Sequence, residues 1–464
     1  MRLLIQSKYQ YDAASRRTQM TVAGQTAVNY SYDNADRLTG ITQGSNSVGI
    51  AYDNANRRTT LTLPNGIQLT YGFDNANELT GLTYKLGATT VGSLTYGYDN
   101  DGRIVNRGGT FDVTNLPATL ASASYDANNR LTQWGAKTLS YDADGNLTGD
   151  GTNTYTWNTR NQLMSIAGGS TGSFIYDAFG RRESKTIGGT ATNFLYDGLN
   201  LEQELNGTTP TANYLTGANI DEVFSRADST GSYSYLTDNL GSSLALTNSS
   251  GAISTSYTYE PYGNTTASGA SSTNALQYTG RENDGDGLYY YRARYYSPGY
   301  RRFIGNDPIG YVAGISTYTY VNNDPMDLVD SLGLCPNKKN DCVHNFLQQY
   351  YGNFVANTLV PDFSGISFVT NFWEFAKGSL VDGGIKGALV GLPWLYGNIV
   401  TTTGNNLAAY PGMSGAAADA LETGAFWKTT AGTFGSISSV AIIGITSFAT
   451  MADAYARWAC RNVQ

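Results

Sequence analysis

Histidine and cysteine are nearly absent from this chain of 464 residues, which has one histidine and three cysteines. All four lie beyond Leu334, at Cys335, Cys342, His344 and Cys460. Residues 1–334 therefore contain neither a disulfide framework nor a zinc site made of cysteine and histidine. A body of this size buries a core without disulfide bonds, so the lack of cysteine does not indicate a cellular compartment.

Charged residues are also few, at 14% of the chain, and acids outnumber bases to give a net charge of −8. Proteins that bind nucleic acid usually carry a basic patch, so the composition predicts no nucleic-acid partner. The 35 tyrosines, 16 phenylalanines and 6 tryptophans supply enough apolar surface to argue against disorder. Together with abundant Asn, Gly and Thr, they favour an ordered β protein with many tight turns.

Several enzyme signatures are missing from the segment after Leu334. It has no GxxxxGK[ST] phosphate loop and no H-x-E with P-C-x-x-C zinc deaminase pattern. Its single histidine argues against a histidine-based metal nuclease. Cys335, Cys342 and His344 offer three metal ligands without a fourth nearby. We therefore predict no metal and no cofactor, and a Cys–His catalytic pair remains the weaker alternative.

A signal peptide is not evident, because MRLLIQSKYQYDAASRR has a short apolar run and then enters a repeat. We expect this chain to be the back end of something longer, whether a truncated gene, a displaced cassette or a wrong start codon.

What the chain does have is a repeat of about twenty residues, in which an aromatic residue, usually followed by Asp, precedes a turn rich in Asn, Asp and Gly. Examples are YDNADRLTGI, YDNANRRTTL, FDNANELTGL and YDADGNLTGD. The repeats start at Tyr11, Tyr32, Tyr52, Phe73, Tyr98, Tyr125, Tyr141, Trp157, Tyr176 and Tyr196. The pattern predicts an array in which each unit packs on its neighbours.

Each repeat is predicted to form a β-hairpin. In YGYDNDGRIV, aromatic and small residues alternate up to Tyr98, a turn follows at Asn100–Gly102, and a second extended run begins at Arg103. Hairpins joined edge to edge give one long antiparallel sheet, which must curl because strands twist. The Asp after the aromatic is predicted to cap the turn, with Ca²⁺ binding as the weaker alternative.

These elements resemble the YD repeats of the Rhs family, which is similar to the teneurins and to the C components of bacterial Tc toxins. Residues 278–334 resemble the Rhs repeat-associated core, through Arg294-Tyr295-Tyr296, Asp307-Pro308-Ile309-Gly310, the YxYVxNxP stretch from Tyr318 to Pro325, and the final DSLGL ending at Leu334. The resemblance covers residues 11–334. It implies a mainly β fold, a spiral antiparallel shell that encloses a C-terminal cargo, usually a toxin domain released by self-cleavage.

Three segments follow from this resemblance and from the change of composition at Leu334. Residues 1–277 are predicted to form the YD-repeat shell, residues 278–334 the associated core with the cleavage site, and residues 335–464 a variable, mainly helical effector domain.

Asp307 and Asp330 are the predicted catalytic residues, because they stand in near-copies of one motif, each three residues before a glycine. Paired carboxylates can share a proton, so that one acts as base and the other as acid. The resemblance places the cut after Leu334, at the Leu334–Cys335 bond. The alternative is that both acids only cap tight turns; Asp324 and Asp327, between them, are predicted to be turn residues.

The core motifs depart from the family pattern at several positions. Ser331 replaces a usual Pro, Tyr311 a usual Leu, and Ala313 and Ser316 a frequent Gly and Asn. Asn306 precedes Asp307 where related toxins often have an Arg that would stabilise charge at the site.

Two charge-free runs lie in the C-terminal segment, at residues 387–418 and 429–452. Both reach the length needed to span a bilayer, but both are diluted by Gly, Ser, Thr and Asn. They predict either buried helices or a membrane-inserting hairpin, and a catalytic domain without a visible motif remains a further alternative.

The resulting hypothesis is a toxin carrier whose shell encapsulates a cargo released by aspartyl self-cleavage. By resemblance, its partners are a cognate immunity protein and secretion machinery or a missing N-terminal portion, and its location is secreted or cell-surface. The alternatives are a cell-surface or wall-associated protein that binds carbohydrate or protein, and a truncated remnant without activity.

Overall fold

The computed structural model of the chain describes residues 7–22, 24–113, 115–313 and 316–334. The predicted helical domain, the two charge-free runs and the Cys335, Cys342 and His344 cluster lie outside the described residues. Over the described ranges, no helix is long and apolar enough to cross a membrane.

The first ten strands form one antiparallel sheet, in which each strand pairs with the next one along the chain. They are β1 (Ser7–Tyr11), β2 (Arg17–Val22), β3 (Val28–Tyr32), β4 (Leu38–Gln43), β5 (Asn46–Tyr52), β6 (Arg58–Thr62), β7 (Gln68–Phe73), β8 (Leu79–Leu86), β9 (Thr89–Tyr98) and β10 (Ile104–Gly108).

A second, 14-stranded sheet continues the same order of neighbours, after a 3-stranded sheet of β11 (Ala123–Tyr125), β12 (Leu131–Trp134) and β13 (Lys137–Thr138). Its strands are β14 (Ser140–Tyr141), β15 (Leu147–Gly149), β16 (Asn153–Trp157), β17 (Leu163–Gly168), β18 (Gly172–Tyr176), β19 (Arg182–Ile187), β20 (Thr190–Asp197), β21 (Asn200–Asn206), β22 (Thr209–Thr216), β23 (Val223–Asp228), β24 (Gly231–Thr237), β25 (Ser243–Thr247), β26 (Ile253–Tyr259) and β27 (Thr265–Gly269). The prediction of a mainly β fold built of successive hairpins is confirmed.

The repeat motif forms alternate hairpin turns, such as the turn between β3 and β4. At Asp33, one carboxylate oxygen accepts the N–H groups of Ala35 and Arg37, at 2.9 and 3.0 Å, and the other accepts Arg37 Nε at 2.7 Å. Asp36 then has a positive φ of 62°, and the register shifts by one residue between Ser31 and Tyr32. This is a turn closed by a bulge, which explains why small polar residues or glycine recur at its left-handed position.

The largest apolar cluster lies between the ten-stranded sheet and part of the 14-stranded sheet. Ile41 and Leu69 contribute from the first sheet, and Phe224 and Leu236 from the second. The two sheets therefore bury a common core, although their strands are far apart in the sequence.

Residues 278–334 follow as a 4-stranded sheet and three 3₁₀ turns. The strands are β28 (Glu282–Asn283), β29 (Tyr289–Tyr291), β30 (Arg294–Ser297) and β31 (Arg302–Phe303), and the turns are Tyr278–Gly280, Gly310–Ala313 and Val321–Asn323. Tyrosines of this sheet pack on each other and on Tyr320, which lies just before the last of these turns; the ring centroids of Tyr296 and Tyr320 are 4.4 Å apart. This aromatic cluster underlies the site described next.

Candidate active site

Three short elements bring the candidate site residues together. Arg294 is the first residue of β30, Asp307 follows β31 and precedes a 3₁₀ turn, and Asp330 lies in the last described turn. The backbone N–H of Asp307 donates to the carbonyl of Thr317 at 3.1 Å. Arg294 Nη1 donates to the same carbonyl at 2.9 Å. This shared acceptor holds the two residues side by side.

One nitrogen of Arg294 contacts both predicted catalytic carboxylates. Arg294 Nη2 lies 2.8 Å from Asp307 Oδ2 and 3.3 Å from Asp330 Oδ2. The side chains of Asp307 and Asp330 are 1% and 2% exposed, and that of Arg294 is 4% exposed. The structure thus joins two acids, 23 positions apart in the sequence, at a single buried cation.

Burial raises the pKa of Asp307 to about 7. The Arg294 guanidinium and the hydrogen bond from the Ile309 N–H act in the opposite direction, and the nearby Asp330 carboxylate raises the pKa further. Burial also lowers the pKa of Arg294, while both carboxylates oppose that shift. A carboxyl group with a pKa near 7 holds its proton on a sizeable fraction of molecules at neutral pH.

The guanidinium of Arg294 is also held in place by the aromatic ring of Phe303. Its central carbon stands 3.6 Å from the centroid of the Phe303 ring, within the range of a cation–π contact. Phe303 in turn packs edge-on against Tyr291 and Tyr320. The cation therefore has little freedom to turn away from the two acids.

The other oxygen of each carboxylate caps a turn. Asp307 Oδ1 accepts the Ile309 N–H at 3.0 Å, and Asp330 Oδ1 accepts the Leu334 N–H at 3.0 Å. Turn capping and a paired-acid site, which the sequence presents as alternatives, occur in the same residues. Asp330 is thereby tied to Leu334, the residue predicted to precede the cut.

Sequence reasoning missed Arg294 as a site residue. It expected a stabilising cation directly before Asp307, where the chain has Asn306; Arg294 contacts the acids from a different strand. The only available signal was the RYY segment of the core motif.

The remaining predicted residues are placed as follows. Leu334 lies at the edge of the site, and Cys335 is outside the described residues. Asp327 lies in a turn and also accepts the N–H of Ile104, the first residue of β10, at 2.9 Å. Tyr311 is 74% exposed. Among the side chains that the structure describes, no group of three or more His, Cys, Asp or Glu is placed to hold a metal ion.

Comparisons with known proteins agree with this architecture. The sequence family described as Teneurin YD-shell matches residues 68–326. The tRNA3(Ser)-specific nuclease WapA of Bacillus spizizenii is 29% identical over 254 residues, which cover 52% of this chain and 11% of the nuclease. The Double-stranded DNA deaminase toxin A of Burkholderia cenocepacia is 27% identical over 298 residues, covering 52% of this chain and 21% of that toxin.

Among solved structures, the Tc holotoxin pore of Photorhabdus luminescens has a chain with a TM-score of 0.55 and 20% identity. The match covers 72% of this chain and 21% of that chain. At this identity the similarity establishes the fold. The chain thus matches only a fraction of each relative's length.

Proposed function

The chain belongs to the teneurin YD-shell family, and on this premise we propose that it is the shell end of a toxin carrier that cuts itself after Leu334. The matched relatives include one protein named as a tRNA nuclease and one named as a DNA deaminase toxin. Shells that carry different activities are expected when the cargo varies and the carrier does not. This favours a carrier over the surface-binding protein and the inactive remnant.

The observation that carries the self-cleavage proposal is the contact of Arg294 with both Asp307 and Asp330. Asp330 stands four residues before Leu334, whose bond to Cys335 is the one to be cut. In our proposal, the Asp330 carboxylate takes a proton from a water molecule, and the oxygen of that water attacks the carbonyl carbon of Leu334. Protonated Asp307 gives its proton to the amide nitrogen of Cys335 as the C–N bond breaks. The products are a carboxylic acid at Leu334 and an amine at Cys335, and the proton of that acid then passes to the amine to give a carboxylate and an ammonium group.

The roles of the two acids follow from their surroundings. Asp307 is the acid, because burial raises its pKa to about 7 and so retains a proton for the leaving amine. Asp330 is the base, because its hydrogen bond to the Leu334 N–H places its carboxylate beside the residue that is attacked. Arg294 keeps the two groups at a fixed separation and balances their charge.

A carrier of this kind implies further components, which we propose by analogy with the family. They are a cognate immunity protein, which protects the producing cell, and secretion machinery or an N-terminal portion for export. The proposed location is secreted or at the cell surface. Any action of residues 335–464 on a membrane depends on segments outside the described residues.

Intact mass and gel analysis of the purified chain tests the proposal. We expect two fragments that meet at Leu334 in the parent, and one unbroken chain in Asp307→Asn and in Asp330→Asn. Asp144→Asn is the matched control, because Asp144 is an exposed acid of a repeat turn; this variant should be cut like the parent. An unbroken parent would leave the two acids as turn caps and refute self-cleavage.

A further inference from the structure

The tight turn between β29 and β30 contacts three consecutive carbonyl groups just before the proposed cut. The side chain of Arg292 donates to the carbonyl of Ser331, and the N–H of Ala293 donates to the carbonyl of Leu332 at 3.1 Å. Arg294 Nε donates to the carbonyl of Gly333. Residues 292, 293 and 294 thus match residues 331, 332 and 333 one for one; we call residues 292–294 the carbonyl cradle.

Arg292 is held by groups outside the 331–333 segment. Its guanidinium pairs with Asp221 at 2.6 Å and donates to the carbonyl of Leu199 at 3.3 Å. Arg281 pairs with the same carboxylate. Two guanidinium groups share this one carboxylate, which holds the Arg292 side chain in place. Arg292 is therefore positioned before the segment binds to it.

The cradle also accounts for the glycine before Leu334. Gly333 has a φ of +70°, a conformation that residues with a side chain rarely adopt. A Cβ atom added at this position would lie 2.2 Å from the Tyr291 carbonyl oxygen and 3.1 Å from the Arg294 nitrogen. The segment approaches the turn so closely that position 333 accepts only glycine. Arg292 contacts the backbone carbonyl of Ser331. Because proline has the same carbonyl group, the serine that replaces the usual proline at this position preserves the contact.

We propose that the carbonyl cradle determines which peptide bond is cut, with Arg292 as a positioning residue and Gly333 as the position that fixes the register. This inference rests on the proposed self-cleavage. A slip of one residue would move the bond by about 3.5 Å, beyond the reach of acids that Arg294 and Phe303 hold in place. A misplacement of even about 1 Å lowers a rate by about 100-fold.

Substitution of Arg292 tests the cradle through the position of the cut. We expect Arg292→Gln to be cut about 10- to 100-fold more slowly and to give fragment ends at residues other than Leu334, detected by intact mass. Arg292→Lys retains a cationic donor and should recover cutting after Leu334. Arg302→Gln is the matched control, because Arg302 lies in the same small sheet and donates to the distant Asn129 carbonyl at 2.8 Å.

The control should show the parental rate and fragment masses. Cutting of Arg292→Gln only after Leu334, at the parental rate, would overturn the proposal. A merely structural role for Arg292 predicts a slower cut at an unchanged position, without rescue by lysine, and would overturn it as well.

A second measurement separates the cradle from the self-cleavage and applies even if Arg292→Gln is unstable or the parent is uncut. It uses hydrogen exchange in the full-length Asp307→Asn chain, which we expect to stay intact. The Ala293 amide should be protected by the Leu332 carbonyl, and adding Arg292→Lys should raise its exchange rate by less than about tenfold. An Ala293 amide that exchanges freely in Asp307→Asn would refute the cradle, whereas a protected amide in an uncut parent would refute only the cleavage.

Discussion

At the scale of single residues, the site depends on how a buried cation and two buried acids share charge. If Asp307 and Asp330 were both ionised, the cluster with Arg294 would carry a net negative charge in a region of low polarity. A proton on Asp307 makes the three side chains neutral together. Burial is the largest cause of the raised pKa of Asp307, and the Asp330 carboxylate adds to it.

This arrangement predicts how self-cleavage depends on pH. The pKa of Asp307 is about 7 in the folded protein, against an ordinary value of 3.8, so the protonated acid is lost as the pH rises through about 7. The cleavage rate should fall about tenfold per pH unit above that point. The rate can be followed by gel after synthesis of the chain in a cell-free system buffered between about pH 5 and pH 9.

Stability should follow the same group. Because the folded pKa lies above the unfolded value, the contribution of Asp307 to stability is fully present below about pH 3.8 and is lost as the pH rises through about 7. The uncut Asp330→Asn chain should show this loss, and a chain that also carries Asp307→Asn should not. A cleavage rate that stays constant across the range would exclude Asp307 as the acid.

Sequence reasoning identified both acids because they repeat one motif, but it could not identify their cation. Five arginines lie between residues 281 and 302: Arg281, Arg292, Arg294, Arg301 and Arg302. Which of them points inward depends on the register of a tight hairpin, and a shift of one residue would reverse the side-chain directions. The cradle was missed for the same reason, since its contacts join residues 39 positions apart.

At the scale of the elements, the repeats are joined by their side chains as well as by their strands. The hydroxyl of Tyr52 donates to the carbonyl of Leu38 in the preceding repeat at 3.0 Å. The guanidinium of Arg37 stacks on the ring of Tyr52 at 4.9 Å and donates to the carbonyl of Asp53 at 3.0 Å. The hairpins were predictable from the turn residues, but these contacts were not, because each joins two repeats.

The equivalent arginine of another repeat offers a direct test. Arg37→Ala should lower the unfolding free energy by about 1 kcal/mol, because it removes a stacking contact and a hydrogen bond between repeats. Arg103 occupies the same place four residues after the Asp, but its side chain is 62% exposed. Arg103→Ala should therefore cost less than about 0.5 kcal/mol. Urea unfolding of the uncut Asp307→Asn chain measures both, and equal effects would contradict the stacking account.

At the scale of the whole described body, contacts between the two large sheets make the array more than a chain of neighbours. Arg58 pairs with Glu222, 164 positions away, and the hydroxyl of Tyr84 donates to the carbonyl of Thr237 in the other sheet. Asn65 donates to Thr247 at 2.9 Å. In a simple repeat array each unit contacts only its neighbours and can unfold by itself. Here the ten-stranded sheet and strands β22–β25 share one core, so we expect them to unfold together.

Removal of one charge from the Arg58–Glu222 pair should reveal this coupling. The two side chains are 21% and 14% exposed, so Arg58→Gln leaves a largely buried carboxylate without its partner and should cost about 2 kcal/mol. Hydrogen exchange of the uncut Asp307→Asn chain should then show lost protection in β6, where Arg58 lies, and equally in β23, beside Glu222. Arg103→Ala, as control, should affect at most the ends of β9 and β10. Loss confined to β6 would mean that the sheets unfold independently. Loss in both would mean that the two sheets unfold together.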